Sequence, residues 1–155
     1  MALHHRLLAK AARLYWRARR PRTLGVRAVV HDDAGRIALV RHTYAHGWYL
    51  PGGGVKKGES VAAALAREIE EEIGLRDCAI ERLIGVYHSR REYKDDHVVL
   101  FAVHTSDPAT LRACDGREIA EAAWFSPDAL PPDVSPATAR RIEDYGTGAV
   151  GYGSW

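Results

Sequence analysis

The period at which apolar residues recur changes along this chain, and each change marks an element. "TLGVRAVVH" (23–31) and "RIALVRH" (36–42) are rich in β-branched and aliphatic residues, and the Asp/Gly turn "DDAG" between them predicts a hairpin. "TYAHGWYLPGGGVKKGE" (43–59) carries Gly and Pro at a density that only a loop tolerates. The period then becomes helical. Within "SVAAALAREIEEEI", Val61, Leu65, Ile69 and Ile73 form one stripe at 100° per residue, and Gly74 supplies a stop. "CAIERLIGVYH" (78–88) and "HVVLFAVHT" (97–105) return to strand, the second apolar throughout as a central strand requires. "SRREYKDD" joins them as a charged loop. A short strand "EAAWF", a helix "SPATARRIEDY" started by Ser135 and Pro136, and an aperiodic tail over 146–155, expected to be mobile, complete the order. Strands with helices before, between and after them predict an α/β sandwich.

The first 22 residues have a different texture. Arg6, Lys10, Arg13, Arg17, Arg19 and Arg20 interleave with Leu3, Leu7, Leu14 and Trp16, which predicts a basic amphipathic helix that Pro21 ends. The segment lacks the continuous apolar core of a secretory signal. Packing on this subunit, or on the partner in a homodimer, accounts for the pattern; lying on a membrane surface is the alternative.

Composition narrows the class. A chain of 155 residues that is 46% hydrophobic and 27% charged has the balance of one globular domain rather than a disordered segment. A formal net charge of +2 gives no footing for nucleic acid or membrane as a partner. Cys78 and Cys114 have neither metal-ligand spacing nor a partner framework, so a reduced, cytoplasmic setting is expected. No apolar run approaches the ~20 residues that span a bilayer.

One stretch runs against its own local physics. In "REIEEEIG" (67–74) the carboxylates of Glu68, Glu70, Glu71 and Glu72 crowd the C-terminal end of a helix, where the macrodipole favours cations. Glu68 and Glu72 are also a like-charge i, i+4 pair, which costs roughly 0.2–0.5 kcal/mol. At helical pitch Glu68 and Glu72 project together with Glu71 beside them, while Glu70 faces away. Three carboxylates beside a Gly-rich loop make an oxygen-rich cluster suited to Mg²⁺ or Mn²⁺ rather than Zn²⁺. A solvated helix face is the plainer reading of the same run.

The wider stretch "GGVKKGESVAAALAREIEEEIGL" resembles the Nudix box, with Gly53, Glu59, Arg67, Glu68, Ile69, Glu71, Glu72, Gly74 and Leu75 at its fixed positions. The resemblance implies a Nudix-type α/β/α sandwich, a mixed sheet between helices, over residues 23–145. It also implies a hydrolase that cleaves nucleoside diphosphates linked to another group with the help of a divalent metal. In that family the glutamates matching Glu68 and Glu72 bind metal, the one matching Glu71 assists, and the carbonyl matching Gly52 commonly joins them. Arg67 is expected to orient these carboxylates, and Gly53 and Glu59 to fix the loop. The general base is either a box glutamate, here Glu68, or a residue of a later loop, where "DGREIAEAAWF" offers Glu118 and Glu121.

Substrate identity is thinly marked. Tyr44, Trp48 and Tyr49 precede the box, where a nucleobase could stack, although a core Trp and a packed Tyr explain them as well. Arg41, Lys56 and Lys57 could meet phosphates or only water. The proline of many ADP-ribose hydrolases is absent, Arg91 occupying that region, and Tyr93 loosely fits a tyrosine found in many diadenosine polyphosphate hydrolases. The expected substrate is therefore a nucleoside triphosphate, an oxidised nucleotide or a dinucleoside polyphosphate. A non-catalytic nucleotide sensor on the same fold, or an enzyme acting on RNA 5′ ends, is the alternative.

Overall fold

The computed structural model describes residues 22–90 and 95–155. The N-terminal helix expected before residue 22, and Arg91 and Tyr93, lie outside the described residues. Six strands form one mixed sheet: β1 (Arg22–His31), β2 (Ile37–His42), β3 (Cys78–Ser89), β4 (Asp95–Thr105), β5 (Ile119–Phe125) and β6 (Gly151–Ser154). Among the described residues two α-helices, α1 (Val61–Ile73) and α2 (Pro136–Thr147), and two short 3₁₀ turns accompany the sheet. The spatial order is β5-β2-β1-β4-β3-β6, with β1 parallel to β4, β3 parallel to β6, and the remaining pairs antiparallel.

Strand alternation builds a core on each face. Val26, Ala28, Val30, Ala38 and Val40 pack against Ala64, Leu65, Ile69 and Ile73 of α1. Val29, Leu39, Leu100 and Ala102 turn the other way, towards Ile142 of α2. The result is the expected three-layer sandwich. The central strands β1 and β4 carry apolar residues on both sides because both faces are covered. Among the described residues, no helix is long and apolar enough to cross a membrane.

Three departures from the sequence reading matter. The turn at 32–35 does join β1 to β2, but the two strands pair only near it, at His31↔Ile37. Beyond that point they splay, and the loop expected to be irregular fills the gap between them. Val40 exchanges both backbone hydrogen bonds with Tyr49 at 2.9 Å, while Ala28 N–H donates to Pro51 O at 3.0 Å and Val26 N–H to Gly53 O at 2.9 Å. The second departure is that β3 and β4 extend into the charged loop, with Ser89 opposite Asp96.

The third is the tail, which is a strand rather than a mobile end. Gly151–Ser154 runs beside β3, and Trp155 N–H donates to His88 O at 2.9 Å. Side-chain periodicity could not reveal it, because what admits β6 is the absence of side chains. A Cβ on Gly85 would collide with the Gly151 carbonyl, and one on Gly151 with the Tyr87 hydroxyl.

Candidate active site

The helix that carries the glutamates is held at both ends by local rules. Ser60 Oγ accepts from Ala63 N–H at 3.1 Å as N-cap, and Gly74, at φ 73°, closes the C-terminus in the left-handed region. The last carbonyls, which an isolated helix leaves unpaired, are met by tertiary neighbours: Arg112 N–H reaches Ile73 O and Cys114 N–H reaches Glu72 O, both at 3.1 Å. The acidic helix end is thus anchored without any cationic residue in its last turn.

The four glutamates meet four different environments. Glu70 faces away and pairs with Arg76 at 2.8 Å. Glu71 is half-exposed and receives Arg67 Nη1 at 3.1 Å. Glu68 is largely covered and takes the same Nη1 at 2.6 Å. Its carboxylate lies over Gly53, where a Cβ would stand only 2.5–2.6 Å from the carboxyl atoms, so the glycine makes the seat. Glu72 is 7% exposed, and its Oε2 accepts from Gly52 N–H at 2.8 Å. Burial drives the Glu72 carboxyl up to about 7, Arg27 and the Gly52 N–H oppose the rise, and Glu68 and Glu118 reinforce it.

Arg67 is the hub. Its Nε and Nη2 grip both oxygens of Glu59 at 2.8 and 3.0 Å, and Nη2 also donates to Gly54 O at 3.0 Å. This fork, with Lys56 N–H, holds the Glu59 carboxyl at about 2, and Glu59 in turn holds Arg67 firmly protonated. One guanidinium thereby ties the loop at 54–59 to the carboxylates of the helix.

Gly52 sits at φ +136° and packs directly on β1; a Cβ there would collide with Val26 O and lie 2.9 Å from Arg27 Cα. Only glycine lets the loop come this close. The carbonyl of Gly52 accepts from Arg27 Nη1, which also donates to Leu50 O at 3.1 Å. No motif or spacing in the sequence marks Arg27. Its signal was a lone cation inside the apolar run "TLGVRAVVH".

A divalent cation fits these donors. Glu68 and Glu72 carboxylates and the Gly52 carbonyl are all oxygen, and burial outweighs the neighbouring Arg27 in raising the Glu72 carboxyl, a balance that a bound cation would reverse. The carboxylates do not yet converge as a finished cage among the described residues. Glu68 and Glu71 are turned onto Arg67.

The remaining candidates divide. Glu118 is exposed, directly before β5, and its charge acts on both Glu72 and Tyr44. The loop carrying it is tied to the β2 end by Thr43 N–H, which donates to Glu118 O at 2.8 Å. Tyr44 is 73% exposed, stacks on His42 at 5.0 Å between ring centroids, and lies on the rim of the openings beside the site. Trp48 is a core residue rather than a stacking platform: it is 6% exposed and packs edge-on to Phe125 at 4.8 Å. Arg41 lies over the Trp48 ring and is engaged by Glu121 at 3.1 Å and Asp133 at 3.0 Å, so its charge is already spoken for. Tyr49 donates to His46 O at 2.7 Å, and Lys56 and Lys57 point into solvent.

This geometry has counterparts among known proteins. A putative 8-oxo-dGTP diphosphatase of Bacillus subtilis is 37% identical over 127 residues, covering 82% of each chain. An RNA pyrophosphohydrolase of Saccharophagus degradans is 37% identical over 67 residues, covering 43% of this chain and 39% of its own. The crystal structure of a MutT NUDIX hydrolase from Burkholderia pseudomallei superposes with a TM-score of 0.66 at 29% identity, covering 80% of this chain and 98% of that one. The NUDIX domain model matches residues 21–145, spanning the split sheet, the glycine loop and the acidic helix end. With the fold, the box and these relatives in agreement, the chain belongs to the Nudix hydrolase family.

Proposed function

We propose that this protein hydrolyses the diphosphate linkage of a nucleoside triphosphate, normal or oxidised, using Mg²⁺ or Mn²⁺ held by Glu68, Glu72 and the Gly52 carbonyl, with Glu71 assisting. The observation that carries the reading is the buried Glu72 beside Gly52 and Arg27, adjoining an opening of about 510 Å³ lined by Arg27, Tyr44 and Gly53. That volume suits a nucleotide-sized ligand. The similarity to the Bacillus diphosphatase over most of both chains supports the triphosphate class.

When bound, the cation would neutralise the non-bridging oxygens and lower the pKa of the attacking water. The chain's own residues do the rest. Arg67 fixes Glu68 and Glu71, and Gly52 N–H orients Glu72. Glu68 receives the water's proton as the water oxygen bonds to phosphorus and the P–O bond to the bridging oxygen breaks, that oxygen leaving on the departing phosphate group. Arg27, partly buried at the opening, offers a second positive charge to the substrate's phosphates.

The test is a screen of purified protein with Mg²⁺ or Mn²⁺ against normal and oxidised nucleoside triphosphates, nucleotide sugars, dinucleoside polyphosphates and 5′-triphosphorylated RNA. Preference for a triphosphate is the expected result; RNA turned over faster than every free nucleotide would sink it. Glu118→Gln separates the two possible bases. With Glu68 as base, this variant should retain kcat within a few-fold, whereas loss of a general base costs roughly 10²–10⁴-fold. Single-turnover rates with saturating metal decide between them.

A further inference from the structure

The opening beside the catalytic loop has two kinds of lining. Arg27 and Gly53 belong to the loop contact already described. Leu24, Val98, Asp96 and Trp155 join them from β1, β4 and the residue after β6. Its floor is hollow at Gly25, which is paired with Val98 across the β1–β4 ladder. A Cβ at that position would be 3.5 Å from Gly53 O and 3.9 Å from Asp96 Oδ2, so Gly25 keeps the space between catalytic loop and carboxylate clear.

We propose that Trp155 and Asp96 form the seat of the nucleobase, the indole stacking on its face and the carboxylate selecting a guanine-type edge. This rests on the reading of the protein as a nucleotide hydrolase and adds which base it favours and which residues choose it. Trp155 is pinned for the task. Its N–H donates to His88 O at 2.9 Å, its carbonyl accepts from Arg140 Nη2 at 3.1 Å, and its ring meets Tyr87 edge-on at 5.9 Å. Arg141 Nη1 holds the preceding carbonyl of Ser154 at 3.1 Å. A half-buried indole fixed by its backbone offers a large π-face with little freedom left to lose.

Asp96 supplies the reading. Thr23 Oγ1 donates to its Oδ1 at 2.8 Å and so tethers the carboxylate, both of whose oxygens lie 3.9–4.0 Å from where a Cβ on Gly25 would stand. An ionised carboxylate only accepts hydrogen bonds. Guanine presents a ring N–H and an exocyclic amino group side by side, two donors that match two acceptor sites. Adenine places an acceptor nitrogen beside its amino group, and uracil or thymine flanks its single N–H with carbonyls. Both meet the carboxylate with at least one repulsive contact.

Binding of non-hydrolysable α,β-imido analogues of GTP and ATP to the intact protein with Mg²⁺, measured by calorimetry, tests the seat apart from catalysis. Trp155→Ala should raise Kd for both analogues roughly 5- to 160-fold, the range for losing one base–aromatic stack, and Trp155→Phe should recover most of it. Asp96→Asn, which retains an acceptor for Thr23, should bring the guanine-to-adenine preference close to one. Gly25→Leu should abolish binding by filling the floor without lowering the melting temperature, which guards against variants that merely unfold. The proposal fails if Trp155→Ala and Gly25→Leu are folded and bind within twofold of the parent, or if Asp96→Asn keeps the parent's base preference. A parent that hydrolyses nucleotides while these variants behave normally would overturn the seat alone. A parent that binds neither analogue would overturn the nucleotide reading with it.

Discussion

Replacing Glu72 by glutamine is expected to abolish metal-dependent hydrolysis while leaving the metal-free protein as stable as the parent or more so. The amide oxygen of glutamine can still accept from Gly52 N–H, so the loop contact survives. What disappears is a buried carboxylate whose pKa in the fold is about 7 against an ordinary 4.5. The sign follows from that elevation. The folded state holds its proton more tightly than the unfolded state, so stability is lost as pH rises from about 4.5 and the full cost is present above about 7. The difference is worth on the order of 3 kcal/mol. In chelator, the parent should therefore lose more melting temperature, or gain less, between pH 5 and pH 8 than Glu72→Gln does. Mg²⁺ should raise the parent's melting temperature at pH 8, because a ligand bound only by the folded state stabilises it, and should barely move the variant's. Full activity in Glu72→Gln would reduce the acidic run to a solvated helix face.

Arg67→Lys should be the most damaging conservative change. A lysine ammonium is a point charge and cannot replace a planar fork that grips Glu59 through two bonds and reaches Glu68, Glu71 and Gly54 O. Removing the centre of a fully buried ionic network costs about 3–5 kcal/mol; with the Arg67 side chain 20% exposed, water relieves part of this, and about 2 kcal/mol is expected. Catalysis should suffer more than stability. The carboxylates lose their orientation, and misplacement by about 1 Å costs on the order of 10²-fold. Glu70→Gln is the control, since Glu70 pairs outward with Arg76 and should remain near parental activity. Thermal melts and kcat measured on the same preparations check both parts. An Arg67→Lys enzyme within threefold of the parent would show that the network does not orient the site.

How much of this was written in the linear chain depends on the range of the interactions involved. The acidic helix, its Gly74 stop and the split between outward Glu70 and inward Glu72 all follow from 3.6-residue geometry and local capping, which need no tertiary partner. The strands with both faces covered, β1 and β4, announced themselves as apolar runs for the same reason. Their burial leaves its mark residue by residue. Local repulsion among the glutamates was also legible, and it pointed correctly to the part of the chain where the loop and helix converge.

What only the fold decided is what lies across a gap in sequence. Whether Glu72 is buried depends on Gly52 pressing against β1, and no helical periodicity records that approach. Arg27 becomes part of the site because β1 and β2 splay and the glycine loop fills the opening between them, bringing a strand cation to a loop carbonyl. Trp48 and Arg41, plausible ligands by position, are claimed by Phe125, Glu121 and Asp133 from later in the chain. The tail read as structureless because side-chain patterns mark strands only where side chains are sorted between two faces. Here small residues and backbone hydrogen bonds place Gly151–Ser154 against β3 and bring Trp155 to the opening that Asp96 also lines. Periodicity reports how a segment meets its surroundings on average. Which partner stands there is fixed only when distant strands come into register.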